Sequence, residues 1–229
     1  MKIENVWTGN WENAFRGMRH PYESYKKSDS YSYIIPTPKG DIKTGFHIGD
    51  NDMDLAQRLI SGGEPNDKFL RQIFVSMDIT APLYWFKEAD TYKVGTTANS
   101  TSTMHRIAST PITLDCFEID DLDQNFEITL KDGVHGTMEQ WNNIIIDGCE
   151  FLRQKYLETK DIRYWKELIR WLPESWLQTR TWTADYVTLR HIWKWRRNHK
   201  LTEWHTFCDA IEELPYAQEL ILYKNALGE

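Results

Sequence analysis

The clearest pattern along the chain lies at Ile73, Val75, Met77 and Ile79, which alternate with Gln72, Phe74, Ser76 and Asp78. A period of two is that of a strand whose successive side chains point to opposite faces. Ala81-Pro82 follows. Pro82 suits the first turn of a helix, where its missing N–H has no partner to lose, so a helix is predicted over Leu83–Tyr92. Upstream, Asp52 is placed to cap a helix through Leu55, Leu59 and Ile60, stopped by Gly62-Gly63. Residues 28–50 mix turn formers with short β-prone runs. They predict a strand at Tyr31–Ile35, a Pro/Gly turn and a second short strand.

Downstream, residues 93–103 (KVGTTANSTST) are small and polar and predict a loop whose amides and hydroxyls face a ligand or solvent. Residues 115–132 are acidic and read as a surface excursion. Thr137 and Gln140 stand at capping-box spacing, which opens a helix through Glu158. Asp161 or Lys160 starts the next, ending at Leu172-Pro173. Residues 183–197 and 202–213 read as helical, and Pro215 opens a last helix closed near Gly228. The order of elements is mixed α and β, helix-rich in the second half. No repeat, low-complexity run or linker divides it, so one domain over 1–229 is expected.

Of the 229 residues, 41% are hydrophobic and 27% charged, enough to bury a core and unlike a disordered chain. The net charge of −7 argues against a surface built for general nucleic-acid binding. Cys116, Cys149 and Cys208 are odd in number and far apart, which fits a reducing compartment and no zinc knuckle. The opening MKIENVWTGNW lacks an apolar signal core, and no stretch reaches membrane-spanning length. A soluble cytoplasmic protein is expected. Zincin, P-loop, Rossmann and nucleophile-elbow motifs are absent, and the histidines show no metal-ligand spacing. Tryptophan, at 11 residues, is over-represented; it either fills cores or builds flat walls that stack on rings.

Three stretches carry candidate chemistry. The run from Ile79 to Thr103 ends in hydroxyls that suit a phosphate or sugar edge, or else is a solvated loop. Arg180, Arg190, Lys194, Arg196, Arg197 and Lys200, with His191 and His199, form a local reversal of charge opposed by Asp185. That run is either an anion site or a solvated helix face paired with the acidic 115–127 segment. Arg16 to Ser30 offers two arginines and a Ser-Asp-Ser to a polar ligand, or is ordinary structure.

Taken together, two of these stretches resemble the flavin-dependent thymidylate synthases. In that family a strand runs into I-x-A-P, then come an Arg-Gln pair, Arg-His-Arg, seven residues and Ser. Here the frame is Ile79, Ala81 and Pro82, then Lys87-Glu88, then Thr91-Tyr92-Lys93, with Thr101 in the serine position. The family's second segment has Leu-Pro, an aromatic stretch, Asn-Ala-Arg-Ser-Leu, then Leu-Arg, His and Glu. Here Leu172-Pro173 leads through Trp182 to Asp185-Tyr186-Val187-Thr188-Leu189, Trp195-Arg196, His199 and Glu203. The resemblance covers residues 50–205.

The resemblance implies an α+β fold, a mixed or antiparallel sheet flanked by helices, assembled as a homotetramer with active sites between subunits. It implies FAD as cofactor, NADPH and methylene-tetrahydrofolate as co-substrates, and conversion of dUMP to dTMP. Arg196 falls at the family's substrate-binding arginine and is carried over as catalytic and substrate-binding. Arg170 lies one position from a nucleotide-binding arginine. Glu88, Ser100, Thr101 and Ser102 are carried over to the nucleotide; Tyr92, Lys93, His191 and His199 to the flavin. No metal is implied. Replacing Arg-His-Arg with Thr-Tyr-Lys removes two planar cations and leaves one point charge at Lys93. The alternatives are a catalytically eroded nucleotide-binding relative, an enzyme modifying C5 of another pyrimidine nucleotide, or a single-strand binder that stacks bases on the tryptophans of 176–197. Six tryptophans (Trp85, Trp171, Trp176, Trp182, Trp193 and Trp195) lie in the two matching segments.

Overall fold

The computed structural model describes residues 1–36 and 42–223. Its elements run β1 (Lys2–Gly9), α1 (Trp11–Met18), β2 (Tyr31–Pro36), β3 (Ile42–His47), α2 (Asp50–Ser61), β4 (Phe74–Pro82), α3 (Leu83–Ala89), β5 (Thr96–Ser100) and α4 (Thr103–Arg106). They continue with β6 (Glu127–Thr129), β7 (His135–Thr137), α5 (Met138–Thr159), α6 (Ile162–Trp171), β8 (Leu177–Asp185), α7 (Tyr186–Arg196) and α8 (Thr202–Glu212). One four-stranded sheet has the order β1-β4-β8-β5; β2–β3 and β6–β7 form two-stranded sheets. Both hairpins are antiparallel, with Tyr31 opposite His47 and Glu127 opposite Thr137. The fold is α+β, with antiparallel sheets flanked by helices, as expected.

Where the local signal is complete, the elements fall as predicted. Ile73, Val75, Met77 and Ile79 are all buried at 1% exposure or less. The capping box is made in both directions: Thr137 N–H donates to Gln140 Oε1 at 3.0 Å, and Gln140 N–H to Thr137 Oγ1 at 3.3 Å. Asp161 caps α6 by accepting from Arg163 N–H at 2.9 Å.

Other expectations need correction. Helix α2 begins at Asp50 behind Gly49, so Asp52 lies inside the first turn as a buried acceptor. Helix α3 stops at Ala89, not Tyr92, because the Thr91 amide and hydroxyl both close onto the Glu88 carbonyl. Within 93–103, Thr96–Ser100 is strand rather than loop; the strand is exposed along nearly its whole length, so it has no apolar alternation to read. Residues 183–185 end β8 rather than open α7, since the Asp185 side chain caps the helix that starts at Tyr186. After Pro215 the chain makes a short π-helical turn, Ala217–Ile221. The acidic excursion is anchored: Phe117 is buried and bridges to Trp176, and β6 pairs with β7. The Pro/Gly turn of 37–41 and the closure near Gly228 lie outside the described residues.

The chain divides into two compact units. The first holds Met1–Lys2, Ile79–Thr91 and Asn99–Arg180. Its helical part is built on Ile107, Ile112, Phe117, Ile146, Cys149 and Leu168, with Trp165, Ile169 and Trp176 against them. Each fully buried Leu, Ile or Phe contributes roughly 2–3 kcal/mol by leaving water. At the sheet end, Thr80 and Thr179 share a hydroxyl hydrogen bond of 2.7 Å, and Thr101 N–H donates to the Thr179 carbonyl.

The second unit holds Ile3–Asp78, Tyr92–Ala98 and Thr181–Glu229. Its centre is aromatic: Trp11 meets Phe15, Phe46, Tyr186 and Tyr216 at centroid distances of 5.3–6.4 Å. The Tyr186 hydroxyl donates to the Pro215 carbonyl at 2.7 Å, and burial pushes this phenol far above its usual range. Arg19, Ser28 and Ser30 converge on Asp52, which ties these three residues of the Arg16–Ser30 stretch into the fold.

Candidate functional site

Within the second unit, β8 delivers the chain into α7, and Asp185 accepts from Thr188 N–H at 2.8 Å to start that helix. Burial raises the Asp185 carboxyl above its usual range, against the hydrogen bonds from Thr188. The loop before β5 seats on this helix start. Gly95 has φ of 80°, and a Cβ there would lie 2.4 Å from Thr188 Oγ1 and 2.6 Å from Asp185 Oδ2. Only glycine tolerates both the left-handed backbone and the contact. The Thr96 hydroxyl donates to the Tyr92 carbonyl and closes the loop.

This arrangement carries Tyr92 to the last turn of α7. Arg196 Nε donates to Tyr92 Oη at 2.9 Å. The guanidinium carbon lies 4.9 Å from the Trp204 ring centre and 5.5 Å from that of Tyr92, within cation–π range of both. His191 stands edge-on to Tyr92 at 6.2 Å. One turn further along α7 comes Trp195, 6.2 Å from His191 and 64% exposed. His199 packs 6.4 Å from Trp204. Its Nδ1 accepts from Leu201 N–H at 3.1 Å, which leaves the ring proton on Nε2. Lys93 is exposed beside Tyr92. Tyr92, His191, Arg196 and His199, carried over separately from the sequence, thus belong to one aromatic cluster around Trp204.

Three other arginines of the basic run are tied down within the fold, while Lys194 and Lys200 are exposed. Arg197 pairs with Asp209 at 2.5 Å and Glu212 at 3.3 Å on the neighbouring α8. Arg190 reaches Asp67 at 3.8 Å. In the first unit Arg180 pairs with Asp90 at 2.8 Å and lies 3.9 Å over the Phe86 ring. These partners are Asp67, Asp90, Asp209 and Glu212 rather than the acidic 115–127 segment, because packing of neighbouring elements chose them.

The remaining sequence-predicted residues lie in the first unit. Thr101 donates to and accepts from the Thr179 backbone at 3.2 Å. Ser102 caps α4 by accepting from His105 N–H at 3.2 Å. Ser100 is exposed, Glu88 is half-buried on α3, and Arg170 makes an exposed i,i+3 pair with Glu167 at 3.0 Å. Two neighbours of this cluster were not singled out in the sequence: Trp204 as the wall under Arg196, and Gly95 as the seat of the loop. Glycine in a polar run was the one signal for the latter; Trp204 read simply as a helix residue.

Burial pushes the Cys208 thiol up to about 12 and raises Cys149 as well. Among the described residues no cluster of three or more His, Cys, Asp or Glu is placed to hold a metal. Nor is any described helix long and apolar enough to cross a membrane.

No family profile matches the sequence, and no curated protein matches it. Solved structures do. Flavin-dependent thymidylate synthase from Helicobacter pylori, complexed with FAD and dUMP, superposes with a TM-score of 0.65 at 15% identity, over 96% of this chain and 97% of that one. A second crystal structure of that enzyme, also with FAD and dUMP, gives 0.63 at 15% identity over the same shares. A UMP/dUMP methylase from Streptomyces cacaoi, bound with 5-Br dUMP, gives 0.52 at 13% identity, over 86% of this chain and 95% of that one. The chain therefore takes the fold of flavin-dependent thymidylate synthase along nearly its whole length.

Proposed function

We propose that this chain is an enzyme acting on a pyrimidine nucleotide, and that its reaction is reductive methylation of dUMP to dTMP. The observation that carries the reading is the Arg196 clamp, in a fold shared with structures that hold dUMP and 5-Br dUMP. A planar guanidinium fixed at Nε and supported on an indole is suited to a phosphate or a pyrimidine carbonyl, because its fork matches planar oxygens. Arg196 is thus the proposed nucleotide-binding residue.

The second unit also holds a donor set that fits a flavin. Lys93 supplies an exposed cation, His191 an exposed imidazole and Trp195 an exposed flat wall. These three would hold FAD, with His199 beside them against Trp204. When bound, FAD supplies the hydride chemistry, with NADPH as reductant and methylene-tetrahydrofolate as the one-carbon source. The protein's own part is to bind, orient and exclude water. The assembly proposed is a homotetramer, testable by light scattering of the purified protein.

A second reading is a nucleotide-binding relative without turnover, or one modifying C5 of another pyrimidine nucleotide. It is favoured by the Thr91-Tyr92-Lys93 segment, where the Thr91 hydroxyl is closed onto Glu88 and the Tyr92 hydroxyl onto Arg196. Three measurements on the purified protein separate the readings: a flavin absorption band after FAD addition, dUMP binding by calorimetry, and dTMP formation with NADPH and methylene-tetrahydrofolate. The enzyme reading expects all three. Binding without product selects the second reading, and absence of binding to dUMP, UMP and dCMP alike rejects both. Arg196→Ala is expected to weaken dUMP by about 10- to 100-fold, the loss of a charge-assisted hydrogen bond.

A further inference from the structure

The tether between Tyr92 and Arg196 joins residues 104 apart in sequence, and its two ends are fixed by different means. Tyr92 is held from its backbone by the Thr96 hydroxyl on its carbonyl, and from its ring by edge contacts to His191 at 6.2 Å and Trp204 at 6.1 Å. The Gly95 turn fixes the loop against the start of the same helix that carries Arg196. Arg196, by contrast, ends a long stem with four rotatable bonds. A stem of that kind loses rotamer entropy when a ligand must order it. Donation from Nε to a fixed phenol oxygen removes the last of those rotations, and the Trp204 face limits tilt.

We propose that Tyr92 is the positioning residue of Arg196, fixing the guanidinium plane on which the pyrimidine nucleotide is bound. The proposal rests on the nucleotide reading above and assigns Tyr92 a role through Arg196 rather than a contact of its own with the flavin. Preorganisation of this kind acts on affinity, because the ordering cost is met before the ligand arrives.

The test is a double-mutant cycle on dUMP affinity with Tyr92→Phe and Arg196→Lys, together with exchange of the Arg196 Nε–H by NMR without nucleotide. Lysine keeps the charge but has no guanidinium Nε–H to tether. Tyr92→Phe in the otherwise native protein is expected to weaken dUMP by about five- to tenfold, the net worth of one ordinary hydrogen bond. On the Arg196→Lys background it is expected to change nothing further. The Nε–H of Arg196 is expected to exchange faster in Tyr92→Phe than in the native protein. Equal weakening on both backgrounds overturns the proposal, since Tyr92 would then act without Arg196. Unchanged Nε–H exchange also overturns it, whether or not any nucleotide binds. Failure of the native protein to bind dUMP instead rejects the nucleotide reading, and the exchange measurement still decides whether the tether exists.

Discussion

Two arginine–carboxylate pairs, one buried and one partly buried, one in each unit, hold their surroundings by opposite routes. Arg153 and Glu150 lie one helical turn apart on α5. Glu150 takes Arg153 Nε and Nη2 at 2.7 and 2.6 Å and also accepts from Ile112 N–H at 2.7 Å, while Arg153 Nη1 donates to the Ala108 carbonyl. Arg19 and Asp52 are 33 residues apart. Their side chains are 4% and 0% exposed, against 10% and 19% for Arg153 and Glu150. Asp52 takes three further hydrogen bonds from Ser28 and Ser30, yet Arg19 Nη2 is buried and has no partner among the described residues. The local pair is nearly preorganised by its helix and fastens a neighbouring loop. The distant pair exists only once its surroundings have folded.

Removing one member of each pair separates these routes, and the distant pair is expected to show the larger effect. Arg19→Met leaves Asp52 buried without its cation and is expected to cost about 3–5 kcal/mol in urea unfolding. Burial alone would raise the Asp52 carboxyl, but Ser28, Ser30 and Arg19 outweigh it and the net shift is downward from 3.8. A depressed folded value means stability that is fully present above the unfolded value. It is lost as pH falls through the lower folded one. An acid unfolding profile that is unchanged in Arg19→Met would show that the serines alone hold Asp52.

The helical pair is expected to cost less. Glu150→Gln keeps the shape and some hydrogen bonding, so a loss of about 1.5–3 kcal/mol is expected. Hydrogen bonds from Arg153 hold Glu150 at about 2, below its ordinary 4.5. The native protein should therefore lose stability as pH falls from 4.5 toward 2, and the variant should lack that part of the acid limb. The smallest effect is expected at the start of the same helix. Thr137→Ala removes one side of the capping box and should cost about 1 kcal/mol, read as a shift of the urea midpoint with unchanged slope. A Thr137 effect exceeding that of Arg19 would invert the comparison.

The same division governs what could be read in advance. Helix α5 was legible because Thr137 and Gln140 carry its start in a four-residue pattern. Strand β4 was legible because its core face alternates without a break from Ile73 to Ile79. Strand β8 escaped notice because its inward positions include Gln178, which is buried by donating to the Thr101 carbonyl, a partner 77 residues away. Strand β5 is mostly exposed, so its pairing leaves no hydrophobic mark. Of the site, Arg196 and Tyr92 were reached through the family spacing, but their hydrogen bond was not. Trp195 and Trp204 show the two uses of tryptophan side by side: the first is largely exposed on α7, the second fully buried under Arg196.

The sequence by itself determined the mixed α and β character, the long strand into Ala81-Pro82 and the helices with their own caps. Each of these rests on contacts within a few residues or on a repeating face. Only the tertiary structure decided that Asp52 is a buried acceptor rather than a cap, that Arg180, Arg190 and Arg197 of the basic run are paired, and that Arg196 donates to Tyr92. Those outcomes depend on which distant groups share a low-dielectric interior. There an unpaired charge or donor is costly, so polar partners are selected by packing rather than by proximity along the chain.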